Sequence, residues 1–173
     1  MNITVFLGSN PGSDEKYTTL AAEVGKMIAE GGHTLVYGGA TNGLMGVLAS
    51  NVRDHGGHIL GVIPGFFHEV QNTDVDELVV VQNMQERKKL LMDRGSMYIA
   101  LPGGIGTLEE MADAISALKL KHHHNLCIFM NLDGYYEPLR AMLQKMYDEG
   151  FADPASLEGV LFLDHAEDLR RYL

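Results

Sequence analysis

Short apolar runs alternate with longer amphipathic stretches along most of the chain. The runs lack polar alternation, which is typical of strands covered on both faces, whereas the stretches repeat apolar residues at helical spacing. The predicted strands are Ile3–Leu7, Thr34–Tyr37, His58–Ile63, Val79–Val81, Met97–Leu101, Leu126–Met130 and Val160–Leu163. The predicted helices are Lys16–Glu30, Leu44–His55, Met84–Arg94, Thr107–Leu120, Tyr136–Glu149 and Ala166–Tyr172.

This alternation of strands and helices predicts the fold class. Right-handed crossovers between successive strands produce a parallel sheet with helices on both of its faces. No linker or low-complexity segment interrupts the pattern over the 173 residues. We therefore expect one three-layer α/β domain that spans residues 1–173.

Three of the predicted strands run directly into glycine-rich turns. These turns read GSNPGS at 8–13, GGATNGLMG at 38–46 and PGGIGT at 102–107. One such turn is most often a tight connection between a strand and a helix. Three turns on the carboxyl edge of a parallel sheet favour a ligand site, because open α/β folds bind ligands at that edge.

The turn at 102–107 predicts an anion cradle. Glycines at 103, 104 and 106 let the backbone approach a ligand, and the following helix points its free N–H groups at the same place. Thr107 could cap this helix or donate its hydroxyl to a phosphate. The chain contains no GxxxxGK(S/T) loop, and its first turn lacks GxGxxG, so a dinucleotide cofactor is disfavoured.

Charged residues near the starts of two helices are further candidates. Arg87 and Lys88 occupy a helix start, where the dipole disfavours cations, so they need an anionic partner in the protein or in a ligand. For Arg87 a ligand contact and a solvated helix face are equally open. Glu109 and Glu110 are about 100° apart around their helix, so only one of them can face a cleft.

Charge and composition exclude several classes of partner. The chain has 13 basic and 23 acidic residues and a formal net charge of −10, which argues against a nucleic acid polymer and against anionic membranes. No apolar stretch reaches the length of a membrane span, and the N-terminus lacks the pattern of a signal peptide. Cys127 is the single cysteine, so no intramolecular disulfide can form. We expect a cytoplasmic protein.

Residues 102–110 read PGGIGTLEE and match the pattern PGGxGTxxE throughout. With this motif the chain resembles the LONELY GUY family of cytokinin-activating phosphoribohydrolases, whose members are often labelled lysine decarboxylases. Nearly the whole chain takes part in the resemblance. Its other elements are Gly8-Ser9, VYGG at 36–39, GLMG at 43–46, GVIP at 61–64, MQERK at 84–88 and DGYY at 133–136.

The resemblance implies a Rossmann-like fold, usually a homodimer, and hydrolysis of the N-glycosidic bond of nucleoside 5′-monophosphates. The implied substrate is typically an N6-modified AMP, and the products are a free base and ribose 5-phosphate. No metal or organic cofactor is required by this chemistry. By the same resemblance the catalytic positions are Arg87 and Glu110, and the phosphate-binding positions are Gly103, Gly104, Gly106 and Thr107. The other expected substrate contacts are Gly8, Ser9, Gly38, Gly39, Met45, Lys88 and Glu69.

The chain departs from the family pattern beside the expected base site. Gln85 replaces a histidine, Ala40 stands where a third glycine is usual, and the segment between Pro64 and Arg87 is shorter than is typical. Glu69 is the candidate for an acid that contacts the nucleotide from this segment.

Cleavage of a ribosyl C–N bond develops positive charge on the sugar, as in glycoside hydrolysis. Our mechanistic hypothesis assigns Glu110 to stabilise this charge or activate water, and Arg87 to hold the ligand or orient Glu110. A non-catalytic nucleotide or cofactor carrier with the same fold is the alternative. A decarboxylase would need a lysine site for pyridoxal phosphate, which the sequence does not display. His122-His123-His124 follows a helix and favours a polar cap over a metal site.

Overall fold

The computed structural model describes residues 1–153 and 157–173. A seven-stranded sheet is built from β1 Asn2–Phe6, β2 Thr34–Tyr37, β3 His58–Pro64, β4 Glu77–Val81, β5 Met97–Ala100, β6 Cys127–Met130 and β7 Val160–Leu163. The α-helices are α1 Glu15–Glu30, α2 Gly43–Asp54, α3 Met84–Arg94, α4 Ile105–Lys119 and α5 Glu137–Asp148. Short 3₁₀ helices cover Gly65–Val70, Leu132–Gly134 and Ala166–Arg171.

The strand order is β4-β3-β2-β1-β5-β6-β7, and every pair of neighbouring strands is parallel. The chain builds outwards from β1 to β4, and then β5 returns to the opposite side of β1. Strands β1 and β5 therefore flank the switch point, where Phe6 pairs with Ala100. The turns that follow these strands touch, since the Gly8 N–H donates to the Pro102 carbonyl at 3.3 Å.

Both faces of the sheet are covered, as the unbroken apolar strands predicted. One face carries Ile3, Leu35, Ile59, Ile99 and Ile128, which pack with buried residues of α1 and α2. The opposite face carries Phe6, Val36, Leu60, Tyr98 and Phe129, which pack with residues of α3 and α4. These two apolar layers confirm the α/β class and its three-layer arrangement.

Most predicted elements agree with the structure to within two residues. Three differences concern where α4 and β4 begin and the type of the last helix. Helix α4 begins at Ile105, with Gly104 as its N-cap, so the prediction that Thr107 could cap this helix is wrong. The extended backbone of Gly104 lets its carbonyl accept the Leu108 N–H, which starts the helix two residues early. Strand β4 extends back to Glu77, and the last predicted helix is a 3₁₀ helix.

No helix among residues 1–153 and 157–173 is long and apolar enough to cross a membrane.

Candidate active site

A cavity of about 500 Å³ opens at the carboxyl edge of the sheet, beside the switch point. Its walls come from the turns after β1, β2 and β5, from the first turn of α3, and from the 3₁₀ helix Gly65–Val70. Most of the residues predicted from the sequence line this cavity: Gly8, Ser9, Gly38, Met45, Arg87, Gly104, Gly106, Thr107 and Glu110.

Four of the predicted site residues lie outside the wall of this cavity. Gly39 has a left-handed backbone, with φ of 73°, and fits closely against β3. Gly103 lines an adjoining cavity of about 280 Å³. Glu69 is exposed on the 3₁₀ helix, and Lys88 bridges to α4 on the outer side of the helix pair.

Several residues that line the cavity were not predicted from the sequence. Phe67 and Val70 of the 3₁₀ helix face it, although only Glu69 was singled out from this segment. Asn42 and Met84 also line the cavity, and the Asn42 amide donates to the Ser9 carbonyl at 3.2 Å. The available signal was the pair of aromatic residues in a polar connecting segment.

The N-terminus of α4 presents free hydrogen-bond donors to the cavity. The first helical hydrogen bond joins the Leu108 N–H to the Gly104 carbonyl at 3.2 Å. In the part of the chain that the structure describes, the N–H groups of Gly104, Ile105, Gly106 and Thr107 have no acceptor. Such a group of donors at the positive end of a helix dipole is an anion-binding arrangement.

The three glycines of this turn are required for different reasons. A Cβ on Gly103 would lie 2.2 Å from the Thr107 hydroxyl oxygen, so Gly103 is required by packing inside the protein. A Cβ on Gly104 or Gly106 would meet nothing within 4 Å, and neither residue has a positive φ. Their lack of a side chain therefore has no internal cause and is suited to a ligand that approaches the backbone.

Arg87 is held in the wall of the cavity by three hydrogen bonds. Its Nε donates to the Val62 carbonyl at 3.1 Å, its Nη1 to Glu110 Oε1 at 3.0 Å, and its Nη2 to the Gly38 carbonyl at 3.5 Å. A Cβ on Gly38 would lie 2.1 Å from Nη2, so the second glycine turn makes room for the guanidinium. The anionic partner that Arg87 requires is thus Glu110, which lies within the protein.

Glu110 is a buried carboxylate beside this guanidinium. Its side chain is 11% exposed and that of Arg87 is 12% exposed. Burial raises the pKa of Glu110, while the charge of Arg87 and its hydrogen bond oppose the rise. Because a group with a raised pKa can exchange protons closer to neutral pH, Glu110 is suited to acid–base or charge-stabilising chemistry.

The neighbouring residues Lys88 and Glu109 point away from the cavity and form an ion pair on the outer surface. Glu109 is 57% exposed, and its Oε1 accepts from Lys88 Nζ at 2.7 Å. The same Nζ lies 3.0 Å from Asp113 Oδ2, and these two hydrogen bonds raise the pKa of Lys88. The two adjacent glutamates therefore diverge, with Glu110 towards the cavity and Glu109 towards the outer surface.

Of the three consecutive histidines, only His123 is partly buried, and its ring packs on Tyr98. His123 Nε2 lies 3.1 Å from the Ala114 carbonyl near the end of α4. Among the described residues no group of three His, Cys, Asp or Glu side chains is arranged to hold a metal ion. Cys127 is buried in β6, and burial raises its pKa to about 12.

The parallel sheet and the cavity at its switch point, with a helix N-terminus open to that cavity, define a doubly wound α/β protein. A family model described as "Possible lysine decarboxylase" matches residues 45–173. A cytokinin riboside 5′-monophosphate phosphoribohydrolase of Rhodococcoides fascians is 41% identical over 163 residues, which cover 92% of this chain and 82% of the relative. The chain therefore belongs to the LONELY GUY family that its motifs resemble.

Further similarities extend over nearly the full chain. A cytokinin riboside 5′-monophosphate phosphoribohydrolase of Mycobacterium tuberculosis is 38% identical over 171 residues, with 98% of this chain and 91% of the relative covered. Among solved structures, a molybdenum cofactor binding protein from Rippkaea orientalis is similar with a TM-score of 0.77, at 22% identity, over 99% of this chain and 93% of that chain. At this identity the structural similarity shows the shared fold.

Proposed function

We propose that this protein hydrolyses the N-glycosidic bond of a nucleoside 5′-monophosphate, an N6-modified AMP or a related nucleotide, and releases the free base and ribose 5-phosphate. The names of the sequence relatives support this reaction. The observation that carries the proposal is the buried Arg87–Glu110 pair, which lies in the same cavity as the free N–H groups of α4. Glu110 follows those groups by about one helical turn.

The 5′-phosphate would bind at the start of α4. The N–H groups of residues 104–107 and the Thr107 hydroxyl are the donors for its oxygens. Gly104 and Gly106 let the phosphate reach the backbone without meeting a side chain. Binding energy from this remote group then fixes the ribose at the reacting centre.

Glu110 would act at the anomeric carbon. As the C1′–N bond breaks, its electron pair leaves with the base, and positive charge develops on the ribose ring. Water adds its hydroxyl to C1′, and the proton that it releases balances the one that the base takes up from solvent. The ionised carboxylate of Glu110 stabilises that charge or accepts a proton from the water that attacks C1′. Arg87 keeps this carboxylate ionised and oriented through its hydrogen bond of 3.0 Å.

The base would lie against the apolar wall of the cavity. Met45, Phe67, Val70 and Met84 line that wall, and flat apolar contacts suit a purine ring. Gly8, Ser9 and Gly38 lie near the sugar and phosphate in this arrangement. Substrate contacts of Gly39, Lys88 and Glu69 stay predictions from the family resemblance.

Two other functions fit the site less well. Pyridoxal phosphate chemistry needs a lysine that forms a Schiff base. None of the described residues that line the cavity is a lysine, so the residues do not fit that cofactor. The alternative is a carrier protein with the same fold. A protein that only binds and releases its ligand does not need a buried carboxylate with a raised pKa, such as Glu110.

The protein would act as a homodimer. Five large apolar side chains on the elements that form the cavity are exposed in the single chain: Phe66, Phe67, Met84, Ile105 and Leu108. Phe67, Met84 and Ile105 line the cavity itself. Ile105 is the most exposed of them at 82%, and association of two chains would remove these apolar surfaces from water. Light scattering at micromolar concentration should give a mass of twice 19.0 kDa.

The function is tested by product release. Incubation with AMP or isopentenyladenosine monophosphate should yield free adenine or isopentenyladenine together with ribose 5-phosphate, measured by liquid chromatography. Bound nucleotide that co-purifies and stays intact would favour the carrier.

A pair of glycine substitutions tests the phosphate site. Gly106→Ala should fold as well as the wild type, since its Cβ meets no protein atom and alanine favours a helix, yet KM should rise about tenfold or more. Gly103→Ala is the matched control and should instead lower the melting temperature, because its Cβ collides with Thr107. An unchanged KM in Gly106→Ala would reject phosphate binding at this turn.

A further inference from the structure

The DGYY segment at 133–136 has no part in the reaction described above, yet its two tyrosines contact the turn that forms the proposed phosphate site. It lies between β6 and α5, where Asp133 and Gly134 have left-handed φ values of 50° and 75°. The Asn131 side chain accepts the Tyr136 N–H at 2.7 Å, and Lys16 Nζ donates to Asp133 at 3.0 Å. These contacts fix the turn and direct two consecutive tyrosines towards the turn after β5.

Both tyrosine hydroxyls donate to carbonyl groups of that turn. The Tyr135 hydroxyl donates to the Gly103 carbonyl at 2.6 Å, and the Tyr136 hydroxyl donates to the Leu101 carbonyl at 2.6 Å. The two rings pack edge to face, with centroids 4.9 Å apart. Tyr135 also lines the smaller cavity, which shares Gly8, Ser9 and Gly104 with the candidate active site.

The two hydrogen bonds have different consequences for the donors of the phosphate site. A trans peptide group is planar, so its N–H points away from its C=O. When Tyr135 holds the Gly103 carbonyl, the N–H of Gly104 in the same peptide group points in the opposite direction. This N–H has no acceptor in the described part of the chain, and Gly104 lines the active-site cavity.

Without this anchor the peptide group would be free to turn, because it joins two glycines. We infer that the Tyr135 hydroxyl orients the Gly104 N–H and so positions one donor for a terminal phosphate monoester. The inference rests on the proposed function for its choice of ligand. Tyr135 is a positioning residue, since it acts through Gly103 and Gly104 and not on the substrate itself.

Tyr136 supplies a matched control on the adjacent residue. Its hydroxyl holds the peptide group between Leu101 and Pro102, and proline has no N–H to orient. Tyr135→Phe and Tyr136→Phe therefore each remove one hydroxyl and one hydrogen bond of the same length. The Tyr135 change affects a donor of the phosphate site, and the Tyr136 change does not.

The test measures binding by calorimetry with ribose 5-phosphate as the phosphate-bearing probe and adenosine as the phosphate-free probe. Tyr135→Phe should raise the Kd for ribose 5-phosphate about fivefold to tenfold and leave the Kd for adenosine unchanged. The KM for AMP should rise by a similar factor, while kcat changes little. Tyr136→Phe should lower the melting temperature and leave both dissociation constants unchanged.

Three results would overturn the inference: an unchanged ribose 5-phosphate Kd in Tyr135→Phe, an equal loss of affinity for both probes, or the same selective loss in Tyr136→Phe. Because calorimetry needs no turnover, this outcome is separate from the proposed reaction. If the wild type binds ribose 5-phosphate in a Tyr135-dependent way but cleaves no nucleotide, the inference is supported and the proposed function is rejected.

Discussion

Arg87 and Lys88 are adjacent on α3, and each joins this helix to α4 through ion pairs that differ in the exposure of their side chains. Arg87 and Glu110 form the inner pair, with both side chains nearly buried in the cavity wall. Lys88 forms the outer pair with Glu109 and Asp113, whose side chains are 57% and 52% exposed. The same types of charge, on the same helices, thus occupy two different dielectric environments.

Burial is the difference that suits one set of charges to catalysis and the other to holding two helices together. An exposed ion pair is screened by water and contributes little, about 0–1 kcal/mol. In the inner pair desolvation raises the pKa of Glu110, and the guanidinium must compensate to keep the carboxylate ionised. The inner pair can therefore hold a reactive group, whereas the outer pair connects two helices.

The largest expected effect distinguishes the two adjacent glutamates. Glu110→Gln should lower kcat by about 10²- to 10⁴-fold, because it removes the charge that stabilises the ribosyl cation or activates water. Glu109→Gln is the same chemical change one residue earlier and should alter kcat less than about threefold. Steady-state rates of adenine release from AMP measure both. Equal losses in the two variants would contradict the separation of roles.

An intermediate effect is expected in the dependence on pH. In the proposed mechanism Glu110 acts in its ionised form. Because burial raises its pKa, kcat/KM should fall as the pH drops through a value above the ordinary glutamate pKa of about 4.3. The charge of Arg87 lowers that pKa, so Arg87→Met should move the acid limb to higher pH, while Arg87→Lys should move it less. A wild-type profile that stays flat down to the ordinary glutamate range would show that no raised carboxyl pKa controls the reaction.

The smallest effect is expected for the outer pair. Lys88→Met should lower kcat/KM about twofold and the free energy of unfolding by about 1 kcal/mol or less, because its partners are exposed. Lys88→Arg should restore both values. A loss above tenfold for AMP, with denaturation by urea unchanged, would instead place the Lys88 ammonium at the substrate.

Much of the fold was predictable because its signals are local. Unbroken apolar strands predicted a sheet covered on both faces, and three glycine turns after β1, β2 and β5 predicted a ligand site at their shared edge. The position of the switch point between these strands depends on the sheet order, which the sequence pattern does not contain. The same pattern predicted that α4 begins at Thr107, because a glycine N-cap such as Gly104 has no side chain that would mark the start of a helix.

The site was predictable in its residue types and less so in its geometry. Arg87 and Glu110 were expected together from the motifs, but their separation of 3.0 Å depends on the packing of α3 against β3 and on the space left by Gly38. Phe67 was missed because the 3₁₀ helix that presents it is too short for a periodic signal. The different reasons for Gly103 and Gly106 likewise become visible only when the surrounding atoms are known.

The free amides and the buried carboxylate stand on one helix, about a turn apart, and this has a consequence for substrate length. Under the proposed function, the spacing of these groups along α4 sets the distance between the bound 5′-phosphate and the bond that is cut. A second phosphate, or a phosphate moved to the 3′ oxygen, would bring a different part of the sugar to Glu110. The protein would thus select nucleoside 5′-monophosphates through the spacing of two groups on one helix, without a separate element that excludes other nucleotides.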